Sequence, residues 1–152
     1  MSFENNLVSV IMSVYNGEKN LEESINSILT QSHKNIEFLI IDDCSQDNTK
    51  KILQKYNKNY NNIKIFKNDK NLGLTLSLNK LLKISKGKYI ARQDADDISL
   101  GNRIEKQLTT LKRYKLDFCS SRARIKQSNR IIPGFSFYLP KKIILKYKNP
   151  FI

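Results

Sequence analysis

Glu37-Phe38-Leu39-Ile40-Ile41-Asp42-Asp43 is a short apolar strand that stops on two carboxylates. The polar stretch behind it, Ser45-Gln46-Asp47-Asn48, suits the cap of a helix carrying Ile52, Leu53 and Tyr56. Upstream, Val8-Ser9-Val10-Ile11-Met12-Ser13-Val14 reads as a buried first strand that ends at the turn Tyr15-Asn16-Gly17. Between these strands, Asn20 with Glu23 three residues on has the form of a capping box, and Leu21, Ile25, Ile28 and Leu29 follow at helical spacing. Downstream, Ile63-Lys64-Ile65-Phe66 supplies a third strand, and Asn68-Asp69-Lys70-Asn71-Leu72-Gly73 a loop. Leu74, Leu78, Leu81 and Leu82 form the stripe of a third helix, expected in the core, with Gly87 at its C-terminal cap. Tyr89-Ile90-Ala91 is a fourth strand, and Ile104, Leu108 and Leu111 mark a fourth helix. Beyond these the pattern weakens to a strand at Phe118-Cys119-Ser120, a turn at Ser128-Asn129, and a short helix from Pro140 with Ile143, Ile144 and Tyr147. Strand and helix alternate, which predicts an α/β fold with a mostly parallel sheet flanked by helices.

The length of 152 residues suits one domain with a real core. The net charge of +13 is uneven: −5 over residues 1–50, +7 over 51–100 and +11 over 101–152. Arg122, Arg124, Lys126, Arg130, Lys141 and Lys142 belong to the basic later part, yet no nucleic-acid motif accompanies them. A solvated surface is the favoured reading, contact with anionic lipid the second, and nucleic acid is not an expected partner. Cys44 and Cys119 are the only cysteines and His33 the only histidine, so a structural zinc site is not expected and His33 reads as a surface loop residue. The first residues carry no signal-peptide pattern, and the apolar run Phe38-Leu39-Ile40-Ile41 is far short of the roughly 20 residues of a spanning helix. A cytoplasmic location is expected, with any membrane contact peripheral and at the inner face.

Open α/β sheets bind ligands beyond the C-terminal ends of their strands. At those ends stand Ser13-Val14-Tyr15-Asn16, Asp42-Asp43 and Asp94-Ala95-Asp96-Asp97, which would gather five carboxylates on one edge. Their mutual repulsion calls for a cation. Mg²⁺ or Mn²⁺ is the natural choice, because a hard cation takes one or two carboxylates together with the oxygens of a diphosphate. In extended backbone Asp94 and Asp96 point the same way across the small Ala95, so both can address one metal and phosphate group. Bland readings stand beside these. Asp-x-Asp alone is common in surface turns; Asp42 caps a turn or supports a ligand; Ser13 and Tyr15 are site residues or packing; Arg92 holds a ligand or pairs with an acidic neighbour.

Taken in order, three segments resemble the family 2 glycosyltransferases, which have a GT-A fold, and the resemblance runs to about residue 115. They are Val8 to Gly17; Phe38 to Thr49, with Cys44 where glycine is frequent; and Asn71-Leu72-Gly73, Asn79, Gly87-Lys88-Tyr89-Ile90 and the acidic run. The resemblance implies a GT-A (Rossmann-like) sheet, incomplete at the C-terminus: residues 1–115 as a nucleotide-sugar-binding core and 116–152 as the start of an acceptor-side half. It implies that Ser13, Tyr15 and Asn16 line the nucleotide pocket, with Asp42 in support. Asp43 would hydrogen-bond the base, expected to be uracil, Asp94 would reach the ribose or the metal shell, Asp96 would ligate Mn²⁺ or Mg²⁺, and Arg92 would help hold the donor. The implied activity is inverting transfer of a sugar from a nucleotide-diphosphate sugar to a glycan or lipid-linked acceptor, in the synthesis of a surface polysaccharide or lipo-oligosaccharide. The base that would deprotonate the acceptor is not found. After Asp97 the only carboxylates are Glu105 and Asp117, neither in a motif resembling it. Family members usually continue past the point where Asn149-Pro150-Phe151-Ile152 stands, so a truncated, non-catalytic donor-binding module is the alternative.

Overall fold

β1 (Val8–Val14), β2 (Ile36–Asp42), β3 (Ile63–Lys67) and β4 (Tyr89–Arg92) pair in parallel, in the spatial order β3-β2-β1-β4. They belong to a computed structural model that describes residues 6–121, 123, 124, 128, 131 and 132. The Pro140 helix, Asn129 and, of the basic stretch, Arg122, Lys126, Arg130, Lys141 and Lys142 lie outside the described residues. The register aligns Val8 with both Ile36 and Tyr89, and Val14 with Asp42. Phe38 pairs with Ile63 and Asp42 with Lys67. The expected parallel α/β sheet is thus present.

β1 and β2 are central and buried along nearly their whole length, as strands covered on both faces must be. Side chains alternate between the faces. Ile11, Leu39 and Ile41 therefore share one face, where Leu78 and Leu81 of α3 (Leu74–Ile84) close over them beside Phe66. Val10, Met12, Phe38 and Ile40, all with negligible exposure, occupy the other face. On α1 (Leu21–Leu29), Leu21, Ile25 and Ile28 are buried, and on α2 (Thr49–Asn59), Leu53 and Tyr56. Fully burying one such aliphatic side chain contributes about 1.5–3 kcal/mol.

Several local expectations are corrected. The capping box does not form, because Asn20 makes no side-chain cap; Leu21 N–H instead donates to Gly17 O at 3.0 Å, so α1 grows out of the preceding turn. At α2 the cap comes from Asp47, which accepts from Thr49 N–H, and from Glu18, which accepts from Asn48 N–H. On α3 only Leu78 and Leu81 of the leucine stripe are core; Leu74 and Leu82 are 46% and 39% exposed, because the helix turns Ser77, Leu78 and Leu81 toward the sheet. Gly87 does not cap α3, whose C-cap is Ser85. Glycine is needed there because the backbone passes so close to β1 that a Cβ would stand 2.5 Å from Ser9 N.

The chain forms two compact units that meet in sequence between Lys106 and Gln107, within α4 (Arg103–Tyr114). In the second unit, β5 (Ala123–Arg124) and β6 (Ile131–Ile132) pair antiparallel, with Ser128 in a turn between them. The strand expected at Phe118-Cys119-Ser120 is irregular: Phe118 is exposed, and the Cys119 thiol donates to Gln107 O instead of leaving the segment free to pair. No helix among the described residues is long and apolar enough to cross a membrane.

The N-terminal edge of the sheet is closed by Glu37, which is 9% exposed. Its Oε1 accepts from Ser9 Oγ, Lys86 N–H and Gly87 N–H, tying β1, β2 and the approach to β4 together. Burial pushes the Glu37 carboxyl up, but these hydrogen bonds and the field of Lys64 outweigh it and hold the group below the ordinary glutamate range. A lowered folded pKa means stability that is complete above the ordinary value and lost as pH falls through the folded one. Glu37→Gln should therefore destabilise the protein by about 1.5–3 kcal/mol near neutral pH, the worth of a hydrogen bond to a charged group. Thermal unfolding across a pH series checks this: the gap between native and variant narrows as the medium becomes more acidic than the ordinary glutamate pKa.

Candidate functional site

In a parallel sheet ordered 3-2-1-4 the chain direction of winding changes between β1 and β4, which opens a crevice at their C-terminal ends. A cleft of about 460 Å³ lies there. Ser13, Tyr15, Asn16 and Gly17 line it from the β1 side and Arg92, Asp94, Ala95 and Asp96 from the β4 side. Lys19, Asn20 and Leu74 complete the lining. Of the residues expected at the site, Ser13, Tyr15, Asn16, Arg92, Asp94 and Asp96 are brought together. Asp42 and Asp43 are not among the lining residues.

The β1 turn is held rigidly for its length. Asn16 takes a left-handed backbone with φ 51°, a conformation asparagine tolerates better than most residues. Its N–H donates to Ser45 Oγ at 2.9 Å, and its Oδ1 accepts from Gln46 N–H at 2.8 Å. Gly17 N–H donates to Thr49 Oγ1 and Glu18 N–H to Asp47 Oδ2. Two turns thus clasp each other, leaving Tyr15 52% exposed over the cleft. Cys44 also has a left-handed backbone, φ 68°, which explains why glycine suits its position.

Asp42 and Asp43 are 3% and 2% exposed. Asp42 Oδ1 accepts from Ser45 N–H at 2.9 Å, so of its two readings the turn cap is the one observed. Asp43 accepts from Asn68 Nδ2 at 2.7 Å and Leu72 N–H at 2.9 Å on Oδ1, and from Gly73 N–H at 2.8 Å on Oδ2. It shapes the loop from which Leu74 enters the cleft. Burial pushes the Asp43 carboxyl up, and the bonds from Leu72, Asn68, Gly73 and Ser77 more than reverse this, leaving it below the ordinary aspartate range.

The acidic turn is built differently. Arg92 grips Asp94 with both Nε and Nη2, at 2.8 and 2.9 Å, so the acidic neighbour is its observed partner, and both line the cleft. An exposed pair of this kind adds only about 0–1 kcal/mol to stability. Asp96 has no hydrogen-bond or ion-pair partner among the described residues. Burial and the charges of Asp94 and Asp96 push the Asp97 carboxyl above its ordinary range, with Arg103 and Arg92 opposing. Arg103 lies behind the turn, donating to Arg92 O, its Nε and Nη2 buried without partners among the described residues. No three His, Cys, Asp or Glu side chains among the described residues converge as a ready cage. A divalent cation would fit the turn through Asp94 and Asp96, relieving the repulsion felt at Asp97 and taking its remaining ligands from a bound anion and water.

Sequence reading missed Lys19, Asn20 and Leu74 as lining residues. Lys19 carried a signal, being one of few cations in an acidic first third. Leu74 carried none, because a leucine at a helix start reads as core.

This edge, with a parallel sheet, a polar β1 turn and a β4 acidic turn facing one cleft, has the arrangement of a GT-A fold. Residues 9–151 match the model of Glycosyl transferase family 2, and the chain belongs to that family. Among similar proteins, EpsE of Bacillus subtilis (strain 168) is 48% identical over 109 residues, which are 71% of this chain and 39% of EpsE. The Escherichia coli UDP-Glc:alpha-D-GlcNAc-diphosphoundecaprenol beta-1,3-glucosyltransferase WfgD is 36% identical over 138 residues, covering 90% of this chain and 53% of WfgD. The chain therefore spans roughly 39–53% of these relatives. Among solved structures, residues 1–349 of S. aureus TarS in complex with UDP superpose with a TM-score of 0.66 at 28% identity, over 72% of this chain and 33% of that one.

Asp43 lends itself to a direct test of its loop-shaping bonds. Asp43→Asn replaces an acceptor with an amide that turns an N–H toward backbone N–H groups, and should destabilise the protein by about 1.5–3 kcal/mol. Chemical denaturation at neutral pH measures the loss. Because the folded pKa is lowered, the deficit shrinks as pH falls through it.

Proposed function

We propose that this chain is the donor-binding part of an inverting glycosyltransferase that takes a sugar from a nucleotide-diphosphate sugar, UDP-linked, and passes it to a glycan or lipid-linked acceptor in surface polysaccharide synthesis. The observation that carries the reading is the pairing, across one cleft, of the β1 turn with Asp94 and Asp96 of the β4 acidic turn. Family membership supports transferase chemistry, and the UDP of the TarS complex and the donor in the WfgD name support the uridine nucleotide.

In this reading Tyr15, Ser13 and Asn16 receive the nucleoside, and Arg92 and Lys19 face the diphosphate. Asp43 contributes by holding the Leu72-Gly73-Leu74 segment beside the base. Asp96, with Asp94, holds Mn²⁺ or Mg²⁺, and a divalent cation there supplies Lewis-acid neutralisation of the departing diphosphate. Residues 1–115 form the donor-binding core, and 116–152 begin the acceptor side. The reaction takes place in the cytoplasm, at the inner face of the membrane where lipid-linked acceptors are met.

A second reading, a donor-binding module without transfer, is favoured by the later carboxylates. Glu105 is engaged by Ser32 Oγ at the N-terminal end of α4, and neither it nor Asp117 stands in a motif resembling a base for an acceptor hydroxyl.

Calorimetry with UDP tests the reading. Native protein should bind UDP more tightly with Mn²⁺ than in EDTA, and Asp96→Ala should remove the difference, a loss of about 10-fold or more in metal-linked affinity. Equal UDP binding with and without metal refutes the proposed donor site. Transfer assays on lipid-linked glycan acceptors then separate the two readings: sugar transfer establishes the enzyme, and binding without transfer the module.

A further inference from the structure

We infer that Gln93 is a positioning residue for the cation held by Asp94 and Asp96, acting on the backbone of the acidic turn rather than on the cation. The inference rests on the proposed donor site. Gln93 is the first residue past β4 and still extends its ladder, its N–H donating to Ile11 O at 3.0 Å. Strand alternation sends the Arg92 and Asp94 side chains to the cleft and the Gln93 side chain the other way, into the interior, where it is 2% exposed.

There its amide is fully used. Nε2 donates to Asp97 O at 2.8 Å and reaches Asp94 O at 3.3 Å and Ser24 Oγ at 3.2 Å. Oε1 accepts from Ser99 Oγ at 2.7 Å. Asp94 O also accepts from Ser24 Oγ at 2.9 Å and from Asp97 N–H at 3.2 Å, closing a turn. One buried amide therefore grips both ends of Asp94-Ala95-Asp96-Asp97 by their carbonyls. Its orientation is fixed, because the same group must donate on one side and accept on the other.

The seat continues along α1. Ser27 Oγ accepts from Ser99 N–H at 3.0 Å, while Gln31 donates to Leu100 O at 2.8 Å and accepts from Ile104 N–H at 3.1 Å. Ser24, Ser27 and Gln31 form a buried polar stripe on α1 and just past its end, and the acidic turn and the segment behind it lie along that stripe. A buried polar network of this kind is specific when every member is satisfied and costly when one is removed. The spacing of the Asp94 and Asp96 carboxylates is set by this backbone, so loosening Gln93 spreads them without removing either.

The test is calorimetric titration of UDP at varied Mn²⁺, and in EDTA, on native protein and Gln93→Met, which keeps side-chain size but loses the amide. The expected result is a rise of about tenfold in the Mn²⁺ concentration giving half-maximal UDP binding, with UDP affinity in EDTA unchanged. A Q93M midpoint equal to the native one overturns the inference and leaves the donor site standing. Loss of UDP affinity in equal proportion with and without Mn²⁺ also overturns it, because that is what a general structural defect would produce. If native binding itself ignores Mn²⁺, the donor-site reading fails and the inference with it. Should Q93M not fold, Ser99→Ala, which deletes only the hydroxyl on Oε1, takes its place: a Mn²⁺ midpoint raised about fivefold supports the inference, and an unmoved one overturns it.

Discussion

β1 is hydrogen-bonded in parallel on both edges, to β2 and to β4, and the rest of the site depends on that double pairing. Parallel strands deliver their C-terminal ends to one side of the sheet. Because β2 and β4 flank β1, the segments leaving β1 and β4 diverge and a crevice opens between them. The register then decides which side chains meet. Ile11 lies beside Arg92, so Ser13 and Tyr15 extend past the ladder toward the residues that follow Arg92. A slip by one residue would turn each of these side chains to the opposite face. Glu37 guards against that slip from the other end, by binding Ser9 of β1 and the Lys86-Gly87 approach to β4 through one carboxylate.

Five carboxylates stand at or just past strand ends in the sequence, and the structure separates them by their supply of N–H donors. Asp42 and Asp43 are enclosed by backbone and amide donors, so their charge is spent on shaping loops. Asp94 shares its charge with Arg92. Asp96 has no such partner among the described residues, and Asp97 is pushed up by burial and by both neighbours. The uncompensated charge is thus concentrated on the acidic turn, which is where a cation gains most.

The parallel sheet, the first four helices and the cleft's acidic side were legible because strand-length apolar runs and helical spacing are local signals, whereas the strand order was not. The failures had local causes as well. Gly87 looked like a helix cap because glycine commonly follows helices, whereas its role is the close pass to Ser9, a contact between residues far apart in sequence. Asn20 and Glu23 matched a capping box, but the turn through Gly17 had already supplied the helix start. Leu74 and Leu82 were read as core because a periodic stripe shows the apolar side of a helix and not how far the sheet beneath it reaches. Asp42 was legible only as two alternatives, since a cap and a ligand use the same atoms. The polar stripe Ser24, Ser27 and Gln31 was visible beside Leu21, Ile25 and Ile28, but its partner, the chain from Asp94 to Ile104, was not.

That stripe bears on how a self-repelling turn can be held at all. Fixing the turn through its carboxylates would occupy their oxygens with N–H donors, as happens to Asp43, and leave few lone pairs to offer a cation. Gln93 and Ser24 instead grip the carbonyls of Asp94 and Asp97 with neutral donors. The backbone is ordered while Asp96 keeps its charge and Asp94 keeps access to the cleft. Repulsion among the three acids remains in the folded protein, so the turn is stable only because the network beneath it is buried and satisfied. The proposed donor site would draw on this division: rigidity supplied from below by dipoles, and charge left unspent above for a cation.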